Sequence, residues 1–373
     1  MPQLTPYHLS FHSGLHVGAG VENLNETLAH VPSDTLFSAL AATHRLMGGD
    51  VQTLVQPFLD GNPPFRLSSA FPFAGSVRFF PLPVDLRMLF SETILGDFSW
   101  NKPLKRVRYF SEGLLRKALD TDDPLDARLF PLDEREEPQQ GVALQGGSVW
   151  LLKEEVEKLP ASIRLTRDKK PITPQALRGQ AIWKTQTVPR VTVDRIASTS
   201  TLFQAERVAF SPGCGLWFGV VGQIANLPHL LTTLGENGLG GERTAGYGGF
   251  TFEPDTLDLF DDPSPEGLAY LFSRYAPKKG EAAPALQHPS AAYRLEAVAG
   301  YLRSHDGAAQ RRKRLWMVTE GSLVGGDPRG ELKNVKPDYD AKAGELPHSV
   351  WRSGLALALN WSRNLQSMEA HHA

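Results

Sequence analysis

Six glycines within twelve residues, at positions 238 to 249, are the feature that most restricts the folds open to this chain. Glycine loses more conformational freedom on folding than any other residue, so an ordered segment this rich in glycine needs a geometric or functional reason. Just before it, apolar residues fall at i, i+3, i+4 and i+7: Leu227, Leu230, Leu231 and Leu234. This spacing predicts a helix that Asn226 caps and Gly235 ends.

The glycine loop, residues 238–249, does not have the pattern of a nucleotide-binding loop. No Lys-Ser or Lys-Thr follows its glycines, and a helix precedes it, which excludes an NTPase phosphate loop. The dinucleotide pattern fails because its third glycine would fall on Arg243 or Thr251. Its backbone amides and the side chains of Arg243, Thr244 and Tyr247 are suited to hold a sugar-phosphate backbone. A passive surface connection is the alternative.

Patterns on both sides of the loop predict an α+β chain. Tyr7, Leu9 and Phe11 alternate with polar residues, which is the period of a half-buried strand. Ser33 is predicted to cap a helix that begins at Asp34. Strand patterns at 188–196 and 202–210, joined by a Ser/Thr-rich turn, predict a β-hairpin, and 216–221 and 249–252 predict further strands. Strand, helix, paired strands, helix and strand follow one another in the order of a ferredoxin-like unit.

Two domains are predicted, over residues 1–253 and 254–373. The acidic, proline-rich stretch from 254 to 265 supplies the boundary. The chain has 373 residues, of which 41% are apolar and 21% charged, enough to build two or three folded units with sizeable cores. The acidic, breaker-rich segment 125–145 is interpreted as an insertion in the first domain.

The single cysteine, Cys214, excludes an internal disulfide and a thiolate zinc site, and it is interpreted as a turn or core thiol. The N-terminal residues lack the basic start and apolar run of a secretory signal, and no apolar stretch is long enough for a membrane span. We therefore expect a cytoplasmic protein without a membrane partner.

Charge is segregated along the chain although the formal net charge is only −2. Basic clusters occupy 102–117, 164–195 and 311–314, whereas acidic residues concentrate at 120–137 and 253–266. Basic segments that contain aromatic residues, such as Trp183 beside Lys184, can neutralise phosphates and stack on bases. A solvated surface or a docking face for a protein partner is the alternative.

Histidines near the first strand offer a second chemistry. His12 or His16 could act as the general base of an RNA-cleaving enzyme, although an ordinary hydrogen-bonded role is more common at a strand end. Metal binding by His8, His12 and His16 is a weaker alternative. Alternation puts His8 and His12 on one face, but no nearby carboxylate or third ligand is evident. No catalytic residue, metal or cofactor is predicted.

Several blocks of the sequence together resemble one family. They are His16-Val17-Gly18, the run from Val31 to Leu40 that contains Ser33-Asp34-Thr35-Leu36-Phe37-Ser38-Ala39, the glycine loop through Phe250, and Tyr293-Arg294-Leu295 to Gly300-Tyr301. Val193-Asp194-Arg195 and the late run from Met317 to Ser322 support the match. The chain resembles the Csm-type RAMP subunit that caps the guide-RNA end of type III-A CRISPR effector complexes.

This resemblance implies two ferredoxin-like, RRM-like domains with a glycine-rich loop and a protruding β-hairpin. It implies a noncatalytic scaffold that holds the five-prime handle of the crRNA and contacts the large signature subunit and the adjacent backbone RAMP subunit. The RNA-binding residues that it implies are His16, Gly18, Ser33, Asp34, Arg190, Arg195 and the loop residues Gly240, Gly241, Arg243, Thr244, Gly246, Tyr247 and Gly248. Trp183, Lys184 and the cluster from Lys102 to Arg108 are added here from charge and stacking alone.

Three alternatives stay open at the level of the sequence. A metal-independent guide-processing ribonuclease on the same fold would use His12 or His16 as acid or base. The equivalent Cmr-type capping subunit would share the fold and the role. A protein-only adaptor would use the basic clusters to dock acidic partners rather than RNA.

Overall fold

The computed structural model describes residues 4–18, 26–120, 123–133, 136–194, 199–258, 261–302, 310–338, 345–346 and 348–362, with the backbone alone at 192–194 and 199–203. The helices are α1 Ser33–Leu46, α2 Val51–Leu59, α3 Glu92–Gly96, α4 Phe98–Arg106, α5 Glu112–Asp120, α6 Ala161–Arg164, α7 Leu227–Asn237 and α8 Ala282–Leu286. The strands are β1 Thr5–Phe11, β2 Phe65–Leu67, β3 Phe71–Ala74, β4 Val77–Pro81, β5 Tyr109–Ser111, β6 Gly141–Leu144, β7 Val149–Leu152, β8 Trp183–Asp194, β9 Thr199–Phe210, β10 Cys214–Gly222, β11 Phe250–Pro254, β12 Leu268–Leu271, β13 Leu295–Val298, β14 Tyr301–Leu302, β15 Gln310–Arg311, β16 Leu315–Val318, β17 Leu323–Gly325, β18 Leu332–Asn334, β19 Trp351–Ser353 and β20 Ala358–Trp361.

A large mixed sheet organises most of the chain. Its strands lie in the order β11-β1-β10-β3-β4-β5-β7-β6, with β2 paired to β10. Its neighbours are antiparallel except β5 and β7, which pair in parallel. Sheet and helices alternate irregularly rather than as repeated βα units, so the α+β class predicted from the sequence is confirmed.

Helices α1 and α7 pack on one face of β11, β1 and β10. Helix α1 follows β1, and α7 joins β10 to β11, so that β1 lies between the two strands that α7 connects. Apolar residues of both helices share one core with β1 and β10: Leu36, Phe37, Leu40, Leu230, Leu231, Leu234, Leu9, Leu216 and Phe218. Burial of these side chains fixes the helix that leads into the glycine loop.

Helix α7 ends later than its sequence predicts. It extends to Asn237, and Gly238, with φ of 84°, follows it. Gly235 stays inside the helix, where an added Cβ would lie 2.3 Å from the carbonyl oxygen of Phe250. The glycine therefore allows the helix to approach β11 closely and does not terminate it. Asn226 does occupy the cap position, although its side chain makes no capping hydrogen bond.

The prediction that Ser33 caps α1 is wrong. Pro32 occupies the N-cap position, and Ser33 is the first helical residue. The hydroxyl of Ser33 instead accepts a hydrogen bond from the backbone N–H of Arg274, at 3.0 Å. Tertiary contact with the C-terminal part of the chain has taken the oxygen that a cap would use.

A second core fills the far half of the sheet. Large aromatic side chains from β4, β5 and β7 are fully buried there, among them Phe79, Phe80, Phe110 and Trp150. The segment interpreted as an insertion contributes Leu125 and Phe130 to this core and provides β6 at the sheet edge.

The C-terminal part packs directly on this core. Its three-stranded sheet has the order β17-β12-β20. Tyr270 of β12 and Trp361 of β20 are buried in the same cluster as Phe80, and the Tyr270 hydroxyl donates to the carbonyl oxygen of Pro81. The two parts of the chain are therefore joined by packed apolar contacts.

Candidate RNA interface

The predicted hairpin is a long two-stranded ribbon outside the main sheet. Strands β8 and β9 pair without interruption from Trp183–Phe210 to Asp194–Thr199. The base of the ribbon is fixed to the segment after β1, where Leu15 and Val208 exchange backbone hydrogen bonds of 2.9 and 2.8 Å. Of the turn predicted at 197–201, residues 199–201 belong to β9 instead. Residues 195–198, and with them Arg195, lie outside the described residues.

The glycine loop adopts a backbone that side chains would not tolerate. Gly240 and Gly248 have φ of 92° and 81°, in the region that favours glycine. An added Cβ would lie 2.3 Å from the carbonyl oxygen of His16 at the first position and 2.0 Å from that of Leu239 at the second. Gly246 has a similar φ of 80°, yet nothing lies within 4 Å of its Cβ position. Two of these glycines are therefore required by close backbone approach, and Gly246 by conformation alone.

Four hydrogen bonds tie this loop to the residues that follow β1, one of them from the His12 N–H to the carbonyl oxygen of Gly249 at 3.1 Å. Gly241 N–H donates to the carbonyl oxygen of His16, and Gly248 N–H donates to that of Gly14, both at 2.8 Å. Gly249 N–H donates to the hydroxyl of Ser13, also at 2.8 Å. These bonds hold the loop on the end of the first strand, at the base of the hairpin.

The histidine at this junction has a positioning role. His16 is 9% exposed, and its Nδ1 lies 2.8 Å from the carbonyl oxygen of Glu206 on β9. Its side chain therefore contacts the hairpin while its backbone contacts the loop. Gly18 is exposed and pairs with Thr27 in an isolated bridge, with no atom near its Cβ position.

A tyrosine lies beneath two arginines where the loop meets the hairpin. The guanidinium carbons of Arg190 and Arg207 lie 5.0 and 5.8 Å from the ring centroid of Tyr247. This ring is only 5% exposed. Such contacts hold a guanidinium at a defined position. Tyr247 thus supports the two cations rather than presenting an open face for a base.

The outer surface of this junction carries the polar groups that could meet a ligand. Arg243, Thr244 and Gly246 are exposed on the loop, and Lys184 is exposed on β8. Arg190 is half-buried, and its Nε is buried without a hydrogen-bond partner among the described residues. An anion would supply the acceptor that this nitrogen lacks.

Trp183 is part of the protein interior at the hairpin base. Its half-buried ring contacts that of Tyr109 edge to face, with centroids 6.1 Å apart. Its backbone is held by the side chain of Gln145, whose amide donates to the Trp183 carbonyl oxygen at 2.8 Å. The ring therefore anchors the hairpin.

Ser33 and Asp34 lie away from solvent, at 2% and 1% exposure. Asp34 accepts a hydrogen bond of 3.1 Å from Arg352 and lies 3.8 Å from Arg274. These contacts join α1 to the C-terminal part of the chain. The structure does not bring this pair to the surface that the loop and the hairpin share.

Glu206 and Arg207 belong to the site although the sequence did not single them out. Besides the contacts above, Glu206 accepts a hydrogen bond from the Thr27 N–H at 3.2 Å, and Arg207 donates to Gln186 across the hairpin at 2.9 Å. The signal that could have found them is the hairpin register, which pairs Arg207 with a polar residue of β8 near its base.

The other two histidines of the first strand region, His8 and His12, and the cysteine differ in their environments. His8 is stacked on Phe73, and burial, assisted by Arg78, lowers its pKa to about 4. His12 is exposed. Burial raises the pKa of Cys214 to about 12, in agreement with its interpretation as a core thiol. Among the described residues, no cluster of three or more His, Cys, Asp or Glu side chains could hold a metal ion, and no described helix is long and apolar enough to span a bilayer.

Comparison with known proteins finds similarity to one family. Residues 265–361 match the CRISPR Csm4 C-terminal domain. The CRISPR system Cms protein Csm4 of Thermococcus onnurineus (strain NA1) is 26% identical over 304 residues, which cover 80% of this chain and 83% of that protein.

Solved structures share the fold along almost the whole chain. A chain in the crystal structure of a Csm3–Csm4 subcomplex of the type III-A interference complex superposes with a TM-score of 0.62 at 16% identity, over 96% of this chain and all of that one. A chain in the Csm1–Csm4 cassette bound to pppApA gives a TM-score of 0.52 at 18% identity, over 97% and 99%. The matches in sequence and this shared fold support the resemblance to Csm4-type RAMP subunits that the motifs predicted.

Proposed function

We propose that the protein is a noncatalytic, RNA-binding subunit of a type III-A Csm complex. It holds the five-prime handle of the crRNA and joins the large signature subunit to the adjacent backbone RAMP subunit. The matching structures support the assembly role, since they contain Csm4 with Csm3 and with Csm1. The observation that carries the RNA role is the convergence of the glycine loop, the hairpin base and residues 13–16 at one surface.

The chemistry of this surface suits a single RNA strand. Arg243 and Lys184 are exposed cations that can pair with phosphates, and the Thr244 hydroxyl can bond to a phosphate or a ribose. Arg190, held over Tyr247, adds a cation whose Nε has no acceptor among the described residues. The ribbon of β8 and β9 extends from the same surface and can separate the handle from the guide that follows it.

The finer architecture belongs to the same proposal. The strand order β11-β1-β10-β3, with α1 and α7 as connections, supports a ferredoxin-like unit within residues 1–253. The family match at 265–361 supports a second, smaller RRM-like unit within 254–373. Csm-type assignment is favoured over the Cmr-type alternative by the family and the curated relative that match.

A co-purification experiment tests the RNA role. The chain is co-expressed with its genomic neighbours, and the RNA that purifies with it is sequenced for the wild type and for Arg243→Ala. We expect uniform guides that begin with the repeat-derived handle, and a loss of most of this RNA in Arg243→Ala. Arg167→Ala, which removes an exposed arginine from the basic segment 164–195, is the charge-matched control.

Two outcomes of the same preparation would contradict the proposal. An intact protein complex that carries no RNA would favour the protein-only adaptor. Cleavage of repeat RNA by the purified chain without metal, lost in His16→Ala, would favour the ribonuclease. The burial of His16 and its contact with Glu206 support the scaffold role over this second outcome.

A further inference from the structure

The basic cluster at 311–314 lies beside an unusual sheet face that the proposed function does not use. Strands β13 and β16 form a two-stranded ladder with one side packed inward, where Val298 and Met317 are buried beside Ala276. On the other side Leu295 and Trp316 are 48% and 59% exposed. Antiparallel strands with one solvated face usually place polar residues there. An outward leucine and tryptophan therefore indicate a surface that another molecule covers.

Flat rings and cations alternate on and around this ladder. Tyr293 and Tyr301 are also exposed, and the guanidinium carbon of Arg311 lies 5.4 Å from the ring centroid of Tyr301. Arg314 is exposed two residues before Trp316. We call this set the C-terminal face: Tyr293, Leu295, Tyr301, Arg311, Arg314 and Trp316.

The charge of the surrounding residues selects an anionic occupant. Within 293–302 and 310–316 there are five Lys or Arg residues and one acid, Glu296. Lys313 is paired with Asp338 at 2.5 Å, which leaves four arginines. Glu296 is already bonded to Arg274 at 3.0 Å, so it does not neutralise the face. In the described part of the chain, two guanidinium nitrogens of Arg312, Nε and Nη1, are buried without a hydrogen-bond partner. Solvent does not reach these two nitrogens, so phosphate oxygens would pair with the exposed guanidinium groups of Arg311 and Arg314.

We propose that the C-terminal face binds a segment of single-stranded RNA, as a second contact besides the handle site. Trp316 and Tyr293 stack on bases, while Arg311 and Arg314 pair with phosphates, the combination that binds single strands without sequence preference. An apolar protein partner would match Leu295 and Trp316 but would leave the excess of cations unpaired. The inference goes beyond the proposed function, because it rests on a different surface and different residues.

Fluorescence anisotropy with a labelled oligouridine of about 15 nucleotides tests this assignment, at a length that covers several bases and phosphates. The full chain carries Arg243→Ala, so that binding through the glycine loop is weakened. We expect this chain to retain RNA binding and to lose at least about tenfold in affinity when Trp316→Ala and Arg314→Ala are added. The dependence of log affinity on log salt should also become shallower by about 0.7 for the phosphate contact removed.

The matched control adds Phe98→Ala and Lys279→Ala to the same Arg243→Ala chain. These residues are an 89% exposed aromatic ring and an exposed lysine outside the three basic clusters, and affinity should stay within about twofold. Thermal unfolding of each variant shows whether the fold is kept. Photo-crosslinking of thiouridine-substituted RNA to wild-type chain should place adducts on the peptide that contains Trp316.

Three results would overturn the inference. The first is the absence of RNA binding by the Arg243→Ala chain. The second is an RNA affinity that Trp316→Ala and Arg314→Ala leave unchanged. The third is the same unchanged affinity together with loss of the large subunit from the purified complex, which would make the face a protein contact. Failure of the handle site is recognised separately, because guides would then still co-purify with Arg243→Ala.

Discussion

The glycine loop and the Ser33-Asp34 pair are equally distinctive in the sequence, but they occupy opposite environments in the fold. The loop lies at the surface, and its glycines let the backbone approach His16 and Leu239. The pair is buried and bonded to arginines from the far end of the chain. A distinctive motif can therefore mark either a surface loop whose backbone requires glycine or a buried polar contact between two parts of the chain.

The buried pair belongs to a network of charges that joins both parts of the protein. Arg274 is 4% exposed and lies 3.8 Å from carboxylate oxygens of both Asp34 and Glu320. Arg352 reaches Asp34 from β19. Buried charges of this kind depend on one another, because removal of one leaves its partners unpaired in a medium that solvates them poorly.

Loss of the Asp34 carboxylate should have the largest effect. Asp34→Ala removes the carboxylate that Arg352 bonds, while Arg274 keeps Glu296 and Glu320. We expect the free energy of unfolding to fall by about 3 kcal/mol, because the buried charge of Arg352 loses this partner. Denaturant unfolding of the purified wild type and variant measures this change in the free energy of unfolding. Asp34→Glu, which keeps the charge, should recover part of the loss. A change below about 1 kcal/mol, the range of exposed ion pairs, would show that the network contributes little to stability.

The loop offers a matched pair of glycines that separates close approach from conformation. Gly248 and Gly246 have nearly the same φ, 81° and 80°, but only Gly248 has backbone atoms within reach of a new Cβ. We expect Gly246→Ala to cost about 1 kcal/mol and Gly248→Ala about 2 to 4 kcal/mol, because the second also forces Leu239 to move. Thermal unfolding of both variants tests this. Equal losses of stability in the two variants would mean that the loop accommodates a Cβ at position 248 without additional cost.

The interior of β1 provides a pH-dependent comparison with its exposed end. His8 has a pKa of about 4 in the fold against 6.5 in the unfolded chain, because burial and Arg78 disfavour its charged form. The unfolded state thus binds the proton first as pH falls, and stability is lost on going from pH 6.5 towards 4. Between pH 6.5 and 5 this loss should be about 1.5 kcal/mol.

His8→Gln should remove that part of the pH dependence, as measured by denaturant unfolding at a series of pH values. His12→Gln, which replaces an exposed histidine just after the same strand, controls for loss of an imidazole. A pH profile of His8→Gln that parallels the wild type would contradict the assignment of this titration to His8.

Local patterns predicted the elements around the site because each depends on nearby residues. The alternation at Tyr7 to Phe11, the leucine spacing of α7 and the paired strand patterns of the hairpin all appear in the structure. The errors came from contacts distant in sequence. Ser33 bonds to Arg274, which lies 241 residues away, and Gly235 packs against Phe250 on the next strand. No local pattern carries that information.

The candidate site divides in the same way. The sequence identified the loop, His16 and Arg190, and the structure brings them together at the hairpin base. The sequence could not reveal that Tyr247 is buried under two guanidinium groups, or that Glu206 contacts both His16 and Thr27. Those facts depend on how the ribbon lies across the loop, which only tertiary packing determines.

The smallest expected effect tests whether Tyr247 acts as a support or as a polar contact. Its hydroxyl is buried without a hydrogen-bond partner among the described residues, whereas its ring contacts Arg190 and Arg207. Tyr247→Phe keeps the ring and removes the unpaired hydroxyl, so the free energy of unfolding should rise by up to about 1 kcal/mol and RNA retention should not change. Tyr247→Leu, which removes the aromatic face, should reduce both. If Tyr247→Phe instead lowered RNA retention as much as Tyr247→Leu does, the hydroxyl would be a ligand of the RNA. The loop would then bind through its tyrosine as well as through its cations.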